Sequence, residues 1–555
     1  MLEVSGVRIR LSQLDGGDAR ELAALRKACA RKLRVNAGEL ASLERRRRSI
    51  DARKKNDISL TYTVRVGLRG GERAERALLA KLARSQAKKG VAAVDEKPFS
   101  FPEPVERAPE RRVVVVGAGC AGLFCALSLA RAGLAPLLVE RGDDAERRSR
   151  VVEAHNATGV LDPQSNIQFG VGGAGTFSDG KLQTGTKSPA HRLILQTFVD
   201  AGAQPRILWD AKPHVGSDVL PRVVTDIVRQ IEEAGGEVRT RCRMAGLEAK
   251  GGEARAVTLV SEASDGSAGE ERVEASAVVL ACGHSARDVF ELLRERGVAM
   301  ERKTFAMGVR IEHLQTEIDR ALYGSAAGNP VLGAAPYKLS EHLPGGRSAF
   351  SFCMCPGGFV VSAASEPGGV VTNGMSLSDR AGDNANSGLL ANVFPDDLPG
   401  DDVLAGVALQ RECERAAFAA GGGGFTAPAQ LVGDFLRGQA STAGGSVAPT
   451  YPRGVAWGSV DGCLPPYITE TLRTAIPSMA RKLRGFDAAD AVLTGVETRS
   501  SSPVRVTRGE DGQSVNVRGL WPVGEGAGYA GGIMSAATDG LLAAQKIIDS
   551  LGARA

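Results

Sequence analysis

Apolar and polar residues alternate along the first hundred positions with two different periods. VSGVRIRL and ISLTYTVRV alternate with period two, which predicts strands. ARELAALRKACARKL and GERAERALLAKLARS place apolar residues at helical spacing. The polar, Pro-punctuated stretch from Gln86 to Arg112 predicts a linker. We therefore expect residues 1–108 to form a small α+β domain with its linker.

A new pattern starts at Val113, with a valine strand, a glycine turn, a helix and a second strand. EVRTRCRMAGLEA, ARAVTLVS and ASAVVLAC predict further strands, and SEASDGSAGEE predicts a surface hairpin loop. Residues from about 300 to 490 mix short strands with Gly-rich loops, and the last segment reads strand, glycine loop, long helix. We expect a discontinuous Rossmann-type α/β domain (109–300 and 491–555) interrupted by an α+β substrate or cap domain (301–490).

Composition narrows the class of protein. Apolar residues make up 43% and charged residues 24%, as in ordinary globular proteins. No basic segment followed by an apolar run opens the chain, and no apolar run reaches the ~20 residues of a membrane helix. The nine cysteines are scattered, a pattern typical of reduced thiols. These features predict a cytoplasmic protein without a membrane segment.

Charge is distributed unevenly. Residues 1–110 hold 25 Lys and Arg against 15 Asp and Glu, and the remainder holds 44 against 49. The densest positive stretch is LERRRRSIDARKKND, from Leu43 to Asp57. One interpretation is binding to the phosphates of an RNA. The other is a solvated or docking face, which the absence of aromatic residues in the stretch favours.

Gly117, Gly119 and Gly122 form GxGxxG directly after the valine strand and before a helix. The first glycine permits a tight turn, the second lets the backbone approach a pyrophosphate, and the third allows close packing of the helix. Glu140 ends the next strand, 18 residues beyond Gly122, where a carboxylate binds a ribose diol. This context predicts a dinucleotide site.

The far end of the chain distinguishes FAD from NAD. WPVGEGAGYAGGIMSAATDG places Gly524 and Glu525 just past a strand and begins a helix near Gly532 and Ile533. A carboxylate in that position binds ribityl hydroxyls, and the N–H groups of the helix stabilise negative charge on a reduced flavin. Two further features agree with FAD as the cofactor. They are the strand end at Gly283 and the glycine- and hydroxyl-rich loop from Ser165 to Thr184.

Together these motifs resemble the glutathione-reductase-like FAD superfamily, and more closely a group of bacterial FAD-dependent dehydrogenases of unassigned substrate. The resemblance spans nearly all of 110–555 and includes KPHVGSD, FAMGVRIEH, FSFCMCPGG and ETRSSSPVRVTR. It implies an FAD oxidoreductase with NAD(P)H as a transient reductant or an organic substrate as hydride donor. The family commonly has Asp at the position of Glu525. The cofactor contacts it implies are Gly117, Gly119, Cys120, Gly122, Glu140, Arg141, Gly172, Gly173, Thr176, Met244, Gly283, Gly524, Glu525, Gly532 and Ile533.

Five residues are candidates for the chemistry itself. Cys353 and Cys355 invite a dithiol interpretation, although dithiol flavoenzymes usually have a wider spacing and buried cysteines are commonly inert. His284 is either a proton carrier or a structural histidine. Arg499 and Arg505 either bind a substrate carboxylate and stabilise flavin charge, or brace a loop through ion pairs.

Other site classes find no support in the sequence. The six His residues show neither HExxH nor Cys-pair spacing, so no metal site is expected, and no GxSxG elbow is present. The sequence predicts an enzyme that transfers a hydride between a small organic molecule or NAD(P)H and FAD. The alternatives are a tRNA-modifying flavoenzyme that uses the basic N-terminal domain, and a non-catalytic FAD-binding partner protein.

Overall fold

The computed structural model describes residues 1–14, 17–84, 89–95, 98–106, 109–262 and 266–552. They form two compact units. The smaller unit comprises Met1–Phe99, Gln204–His214 and Thr316–Ala335. The larger comprises Ser100–Ala203, Val215–Gln315 and Pro336–Ala555.

The smaller unit begins with a four-stranded antiparallel sheet in the order β2-β3-β1-β4. Its elements are β1 (Leu2–Arg10), α1 (Gly17–Leu33), β2 (Leu40–Asp51), β3 (Ser59–Leu68), α2 (Gly71–Arg84) and β4 (Val91–Ala93). The central strand β3 buries Leu60, Tyr62 and Val64, because the middle of a sheet is covered by strands on both sides. The two predicted strands and two predicted helices are confirmed.

Three features of this unit differ from the sequence expectations. The predicted linker contributes β4, because Val91 pairs with Val4 at the edge of the sheet. The basic stretch contributes most of β2, although its arginines hide the apolar alternation. The segments 204–214 and 316–335 also belong to this unit, so its extent is not 1–108 alone. The expected boundary at residue 108 lies outside the described residues.

The acidic partners of the basic stretch lie within the same unit. Arg45 binds Asp18 and Glu21, and Arg48 lies 3.3 Å from the Asp210 carboxylate. The backbone of β2 also pairs with the segment 209–211. The Arg48 N–H donates a hydrogen bond to the Trp209 carbonyl over 2.6 Å. Arg45 and Arg48 therefore have carboxylate partners within the unit, and the choice between an RNA-binding face and a solvated or docking face stays a prediction.

The first part of the larger unit is a parallel sheet with helices on it. Its elements are β5 (Arg112–Val116), α3 (Cys120–Arg131), β6 (Leu137–Val139), α4 (Ala145–Thr158), α5 (Ala190–Asp200), α6 (Leu220–Glu233), β7 (Glu237–Arg239), β8 (Cys242–Lys250), β9 (Glu253–Glu262), β10 (Ala268–Leu280) and α7 (Arg287–Glu295). The first half of β10 pairs with β9 in antiparallel fashion, and its second half pairs with β5 in parallel. Strands β7, β6 and β5 follow one another in parallel. The predicted Rossmann-type fold is confirmed, whereas the tip of the predicted hairpin (263–265) lies outside the described residues.

The remainder forms a second sheet and then returns to the first. Its elements are β11 (Met300–Arg302), β12 (Phe305–Leu314), β13 (Ser340–His342), β14 (Ser348–Cys355), β15 (Gly358–Ser362), β16 (Thr372–Ser376), β17 (Asn384–Val393), α9 (Ala405–Ala420), β18 (Ala427–Leu431), α10 (Val432–Arg437), β19 (Val455–Trp457), α11 (Pro466–Lys482), β20 (Val492–Glu497), β21 (Val504–Val506), β22 (Leu520–Pro522) and α12 (Ile533–Gly552). Helix α8 (Gln315–Tyr323), apart from its first residue, belongs to the 316–335 segment of the smaller unit. The second sheet has the order β13-β14-β17-β12-β20-β18-β19, and β22 pairs in parallel with β10. The final strand, glycine loop and long helix are as predicted.

One expected boundary differs from the structure. The division between 490 and 491 places Val492–Glu497 in the Rossmann-type domain, whereas β20 pairs with β12 and β18 in the second sheet. The sequence does not reveal this assignment, because a fully buried apolar strand shows no alternation that identifies its sheet. Among the described residues, no helix has both the length and the apolar character needed to cross a membrane.

Candidate functional site

The glycine turn after β5 has the geometry of a dinucleotide-binding loop. Gly117 has φ of 101°, and a Cβ there would lie 2.5 Å from the Ala281 carbonyl oxygen. A Cβ on Gly122 would lie 1.8 Å from the Gly117 carbonyl oxygen. Helix α3 therefore starts immediately after the turn, with Gly119 as its N-cap and Cys120 as its first residue. Its unpaired N–H groups face outward from the end of β5.

A second loop runs beside this turn. Gly172 and Gly119 form an isolated parallel bridge, and the Gly172 N–H donates to the Ala118 carbonyl over 2.8 Å. A Cβ on Gly119 would meet only the Gly173 Cα, at 3.8 Å. Gly119 therefore has an open face beside a second glycine backbone, which leaves room for a ligand that approaches both.

Glu140 lies between the two loops, and backbone N–H groups already bind its carboxylate. Its oxygens accept hydrogen bonds from the N–H groups of Ala118 (2.8 Å), Gly142 (3.0 Å) and Gly170 (2.9 Å). The side chain is 5% exposed and lines the cavity at this end of the sheet. Glu140 thus fixes three backbone segments around the cavity, a role that the sequence did not reveal.

A cavity lies at this end of the sheet. Among the predicted contacts, its lining includes Gly117, Gly119, Glu140, Arg141, Gly173, Met244 and Gly283. Arg141 binds Asp288 at 2.7 Å and lies over the Phe169 ring, 4.4 Å from its centroid. Met244 is buried on β8. The two glycine loops, β8 and the end of β10 therefore surround one space.

The C-terminal loop reaches the same place from the other end of the chain. A Cβ on Gly524 would lie 2.9 Å from the Ala121 Cβ, and one on Gly526 would lie 2.3 Å from the Gly283 carbonyl oxygen. A Cβ on Gly175 would lie 3.1 Å from the Ile533 side chain. We call the turn Gly117–Gly122, the loop Ser165–Thr184 and the loop Gly524–Ile533 together the cradle.

Glu525 is a perturbed carboxyl in the cradle. Burial raises its pKa to about 7, while the Lys303 ammonium and the Gly532 N–H act in the opposite direction. Burial also raises the pKa of the Cys120 thiol to about 12, and the Glu525 charge adds to that effect. Burial lowers the pKa of Lys303. Sequence analysis missed Lys303, because nothing but the fold brings it to the C-terminal loop.

Two observations show that the cradle fits FAD. The Thr176 hydroxyl is buried, and within the described part of the chain it has no hydrogen-bond partner. Buried hydroxyls are normally satisfied, so a polar group of a bound cofactor could supply the partner that this hydroxyl lacks. A Cβ on Gly283 or Gly532 would meet nothing within 4 Å, which is the space that a ligand fills.

Arg148, a residue that sequence analysis missed, supports the second loop from below. It lies on α4, is fully buried, and donates to the carbonyls of Asn166, Ile167, Gly170 and Val171 at 2.7–3.2 Å. A cation between carbonyl oxygens holds the loop in one conformation. An arginine in a polar helix carries no signal of this role in the sequence.

His284 follows the strand end at Gly283. Burial lowers the pKa of His284 to about 3, and the guanidinium groups of Arg499 and Arg287 lower it further. Its Nδ1 lies 3.1 Å from the Ser285 hydroxyl. The imidazole is therefore neutral at pH 7, able to accept a proton only at a high energetic cost.

The two arginine candidates are both paired. Arg499 binds Glu414 through Nε (2.9 Å) and Nη2 (2.8 Å), and both side chains are buried. Burial raises the pKa of Glu414, but Arg499 and Arg287 lower it far below its usual value. Arg505 binds Glu301 at 2.7 Å and lies over the Tyr529 ring. The arrangement of Arg499 matches the ion-pair interpretation rather than substrate binding.

Cys353 and Cys355 lie at the end of β14, with Cys353 half-buried and Cys355 buried. The Lys181 ammonium is 4.0 Å from the Cys353 sulfur and 3.8 Å from the Cys355 sulfur. Arg310 on β12 lies 3.8 Å from the Cys355 sulfur. These cysteines therefore form a group with two cations.

Three family models match the chain. An FAD dependent oxidoreductase model matches residues 112–166, and a model described as FAD-dependent protein, C-terminal domain-like, matches 304–500. A domain of unknown function matches residues 1–67. The first match covers the glycine turn and Glu140, and the second covers the second sheet together with Cys353 and Arg499.

One relative and two solved structures are similar to most of the chain. A protein of Clostridium beijerinckii described as uncharacterized is 42% identical over 552 residues, which cover 98% of each chain. A geranylgeranyl bacteriochlorophyll reductase-like protein from Thermoplasma acidophilum is 12% identical, with a TM-score of 0.36 over 80% of this chain and 79% of that chain. Glycerol-3-phosphate dehydrogenase from Bacillus halodurans, complexed with FAD, is 11% identical, with a TM-score of 0.35 over 80% of this chain and 66% of that chain.

Proposed function

Because the chain belongs to a family of bacterial FAD-dependent oxidoreductases of unassigned substrate, we propose that it transfers a hydride between a small organic substrate or NAD(P)H and flavin N5. The observation that supports this function is the contact between three glycine-rich segments: the turn Gly117–Gly122 and the loop Ser165–Thr184 line one cavity, and the C-terminal loop, some four hundred positions after the turn, approaches both of them at Ala121 and Gly175. Bound FAD supplies a two-electron acceptor at N5.

The residues of the chain have separate tasks in this proposal. The turn at Gly119 and the start of α3 offer N–H groups and a positive dipole end to the pyrophosphate. Glu140 keeps the two loops together and faces the ribose. Met244, a buried strand residue in the cavity wall, would offer its backbone to the adenine. Thr176 donates its unsatisfied hydroxyl to the cofactor.

The other end of the cradle would hold the redox-active ring. The start of α12 at Ile533 presents unpaired N–H groups, which stabilise negative charge on the pyrimidine edge. Lys303 provides a cation close to Glu525, whose carboxyl would bind the ribityl chain. The neutral His284 lies beside the strand end and orients rather than protonates a substrate.

The test combines cofactor content with reduction. We expect the purified protein to show flavin absorbance, and anaerobic addition of NADH, NADPH or candidate hydride donors to bleach it. Gly119→Val should weaken FAD binding at least about tenfold, since its side chain enters the ligand space without straining a φ of −75°.

Gly269→Val is the matched control. Gly269 lies on the exposed hairpin part of β10, has nothing within 4 Å of a Cβ, and is far in sequence from the cradle. FAD binding should be unchanged in this variant. A protein that cannot be reconstituted with FAD, or a Gly119→Val variant that binds FAD as well as the parent, would contradict the proposal.

A further inference from the structure

The end of β14 is irregular at its two cysteines. The register with β17 shifts between Phe352 and Cys355, so the strand contains a bulge. Cys353 has φ of 42°, a left-handed conformation that is unfavourable for a residue with a side chain. Bulges and strained residues of this kind re-aim side chains at functional sites. The irregularity brings both thiols to the same cation.

The Lys181 ammonium is held in place by a buried carboxylate. The Lys181 ammonium lies 3.1 Å from the Asp179 carboxylate. Asp179 is fully buried and also binds Arg380 through both carboxylate oxygens. Arg310 approaches from the other side, donating to the Cys353 carbonyl over 3.0 Å. Both sulfurs therefore lie within 4.0 Å of a fixed ammonium, and the Cys355 sulfur also lies 3.8 Å from the Arg310 guanidinium.

The charges around the thiols favour a thiolate at Cys353. A hydrogen bond with Cys355 lowers the pKa of Cys353, and Lys181 and Arg310 lower it further, whereas burial and the Glu497 carboxylate oppose them. Glu497 is itself neutralised by Arg310, at 3.0 Å. Burial raises the pKa of Cys355 well above that of an ordinary thiol.

The other titratable groups near the two cysteines do not change which of the two thiols is ionised. Burial raises the pKa of Tyr337 to about 12, so its hydroxyl is neutral, and it contacts Ser387. Burial lowers the pKa of Lys181, but the cysteines and Asp179 raise it above its usual value, which keeps the ammonium charged. One thiolate beside one protonated thiol is the arrangement that results.

We propose that Cys353 and Cys355 form a second reactive site, which reduces a small hydroperoxide and becomes an intramolecular disulfide. The Cys353 thiolate attacks a peroxide oxygen, an S–O bond forms, the O–O bond breaks, and water or an alcohol leaves with a proton from solvent. The Cys355 thiol then displaces water from the sulfenic acid, and the S–S bond forms. Two thiols lose two electrons in total, and the peroxide gains them.

The size of the oxidant follows from burial. Cys355 is buried and Cys353 is only half-buried, and attack on an external disulfide would need that molecule's two sulfurs to lie in line with the attacking Cys353 sulfur, which a small hydroperoxide does not require. A hydroperoxide needs contact with one sulfur only, and the nearby Lys181 ammonium can donate to the departing oxygen. The reaction uses no cofactor and therefore stands apart from the function proposed above.

The test uses the complete flavoprotein, reduced with a thiol and desalted without oxygen. Addition of hydrogen peroxide should remove two hydrogens from the intact mass, and peptide mapping should find the Cys353–Cys355 disulfide. In Cys355→Ser, the same treatment should leave a sulfenic acid on Cys353 that reacts with dimedone. Iodoacetamide should label Cys353 with a midpoint at least about one pH unit below the ~8.5 of an ordinary thiol.

Lys181 provides the discriminating variants. Lys181→Met should slow the peroxide reaction at pH 7 at least about tenfold, because the thiolate population falls. Lys181→Arg keeps the charge and should stay within about threefold of the parent. Flavin absorbance and the melting temperature show whether each variant is folded.

Cys463→Ser is the control, since this buried cysteine has a pKa that burial raises to about 11. Its peroxide reaction should equal that of the parent. Labelling of Cys353 near pH 8.5 in the unmutated protein, oxidation by disulfides but not by peroxide, or equal rates in Lys181→Met and the parent would overturn the proposal.

Discussion

At the scale of single residues, the fold changes the meaning of several motif positions. Glu140 is a motif carboxylate, yet three backbone N–H groups occupy its oxygens. Arg499 stands in a motif near the C-terminal loop, yet Glu414 takes up its guanidinium. A sequence shows which residue types are present, but hydrogen-bond partners from distant elements decide whether a charge remains for a ligand.

Glu525 allows a prediction about pH. Its pKa, about 7 in the folded protein, lies above the ~4.3 of an unfolded Glu, so the folded state binds more protons between these values. The stabilisation is therefore complete below about pH 4.3 and is lost as pH rises through 7. We expect the free energy of unfolding to fall between pH 5.5 and 8 by on the order of 2 kcal/mol.

Glu525→Gln removes the carboxyl that titrates. The free energy of unfolding of this variant, measured by denaturant unfolding at pH 5.5 and at pH 8, should therefore differ less between the two pH values than that of the parent. An equal pH dependence in the variant and the parent would show that another group is responsible. Glu510→Gln, a change at a carboxyl in an exposed loop, is the matched control and should keep the parent's pH dependence.

At the scale of elements, most strands and helices were predictable because their periodicity is undisturbed. Strand β3 and helix α2 are examples, with clear periods of two and 3.6. Strand β2 was missed because four consecutive arginines replace the alternation, and β4 because three residues are too few to show a period. The sheet to which β20 belongs was not predictable, since pairing is decided by partners outside the strand.

The contact between α3 and α12 leads to a prediction for helix packing. A Cβ on Gly540 would lie 2.0 Å from the Ala121 carbonyl oxygen, so the two helices approach each other closely at this point. Gly540→Ala should force them apart and lower the free energy of unfolding by about 1–3 kcal/mol, with weaker FAD retention.

Leu542→Ala changes an exposed residue on the same helix, 41% accessible, and should alter stability by only about 0.5 kcal/mol. Thermal unfolding and flavin content of both variants provide the measurement. Equal losses in the two variants would mean that the close approach is not what stabilises the pair of helices.

At the scale of the molecule, the N-terminal residues belong to a compact unit that is built from three stretches separated along the sequence. Arg45 lies over the Trp209 ring at 4.2 Å, and Val331 packs against the core of the four-stranded sheet. The sequence favoured an appended module, because nothing local in 204–214 or 316–335 indicates a distant partner. Long-range pairing of short segments leaves no periodic signal.

A chain that lacks residues 1–99 should consequently be less stable than the complete chain. The deletion leaves Gln204–His214 and Thr316–Ala335 without the sheet on which they pack. We expect a melting temperature lower by about 5 °C or more, or precipitation during purification. A truncated chain that melts at the temperature of the complete one would contradict this prediction.

The position of α12 has a consequence for how the protein matures in the cell. The cradle contains Gly117 near one end of the chain, whereas Ile533 and the helix that packs on α3 are synthesised some four hundred residues later. A nascent polypeptide on the ribosome has half of the binding site throughout most of its translation. We therefore expect flavin to bind only after nearly complete synthesis, and prematurely terminated products to be colourless.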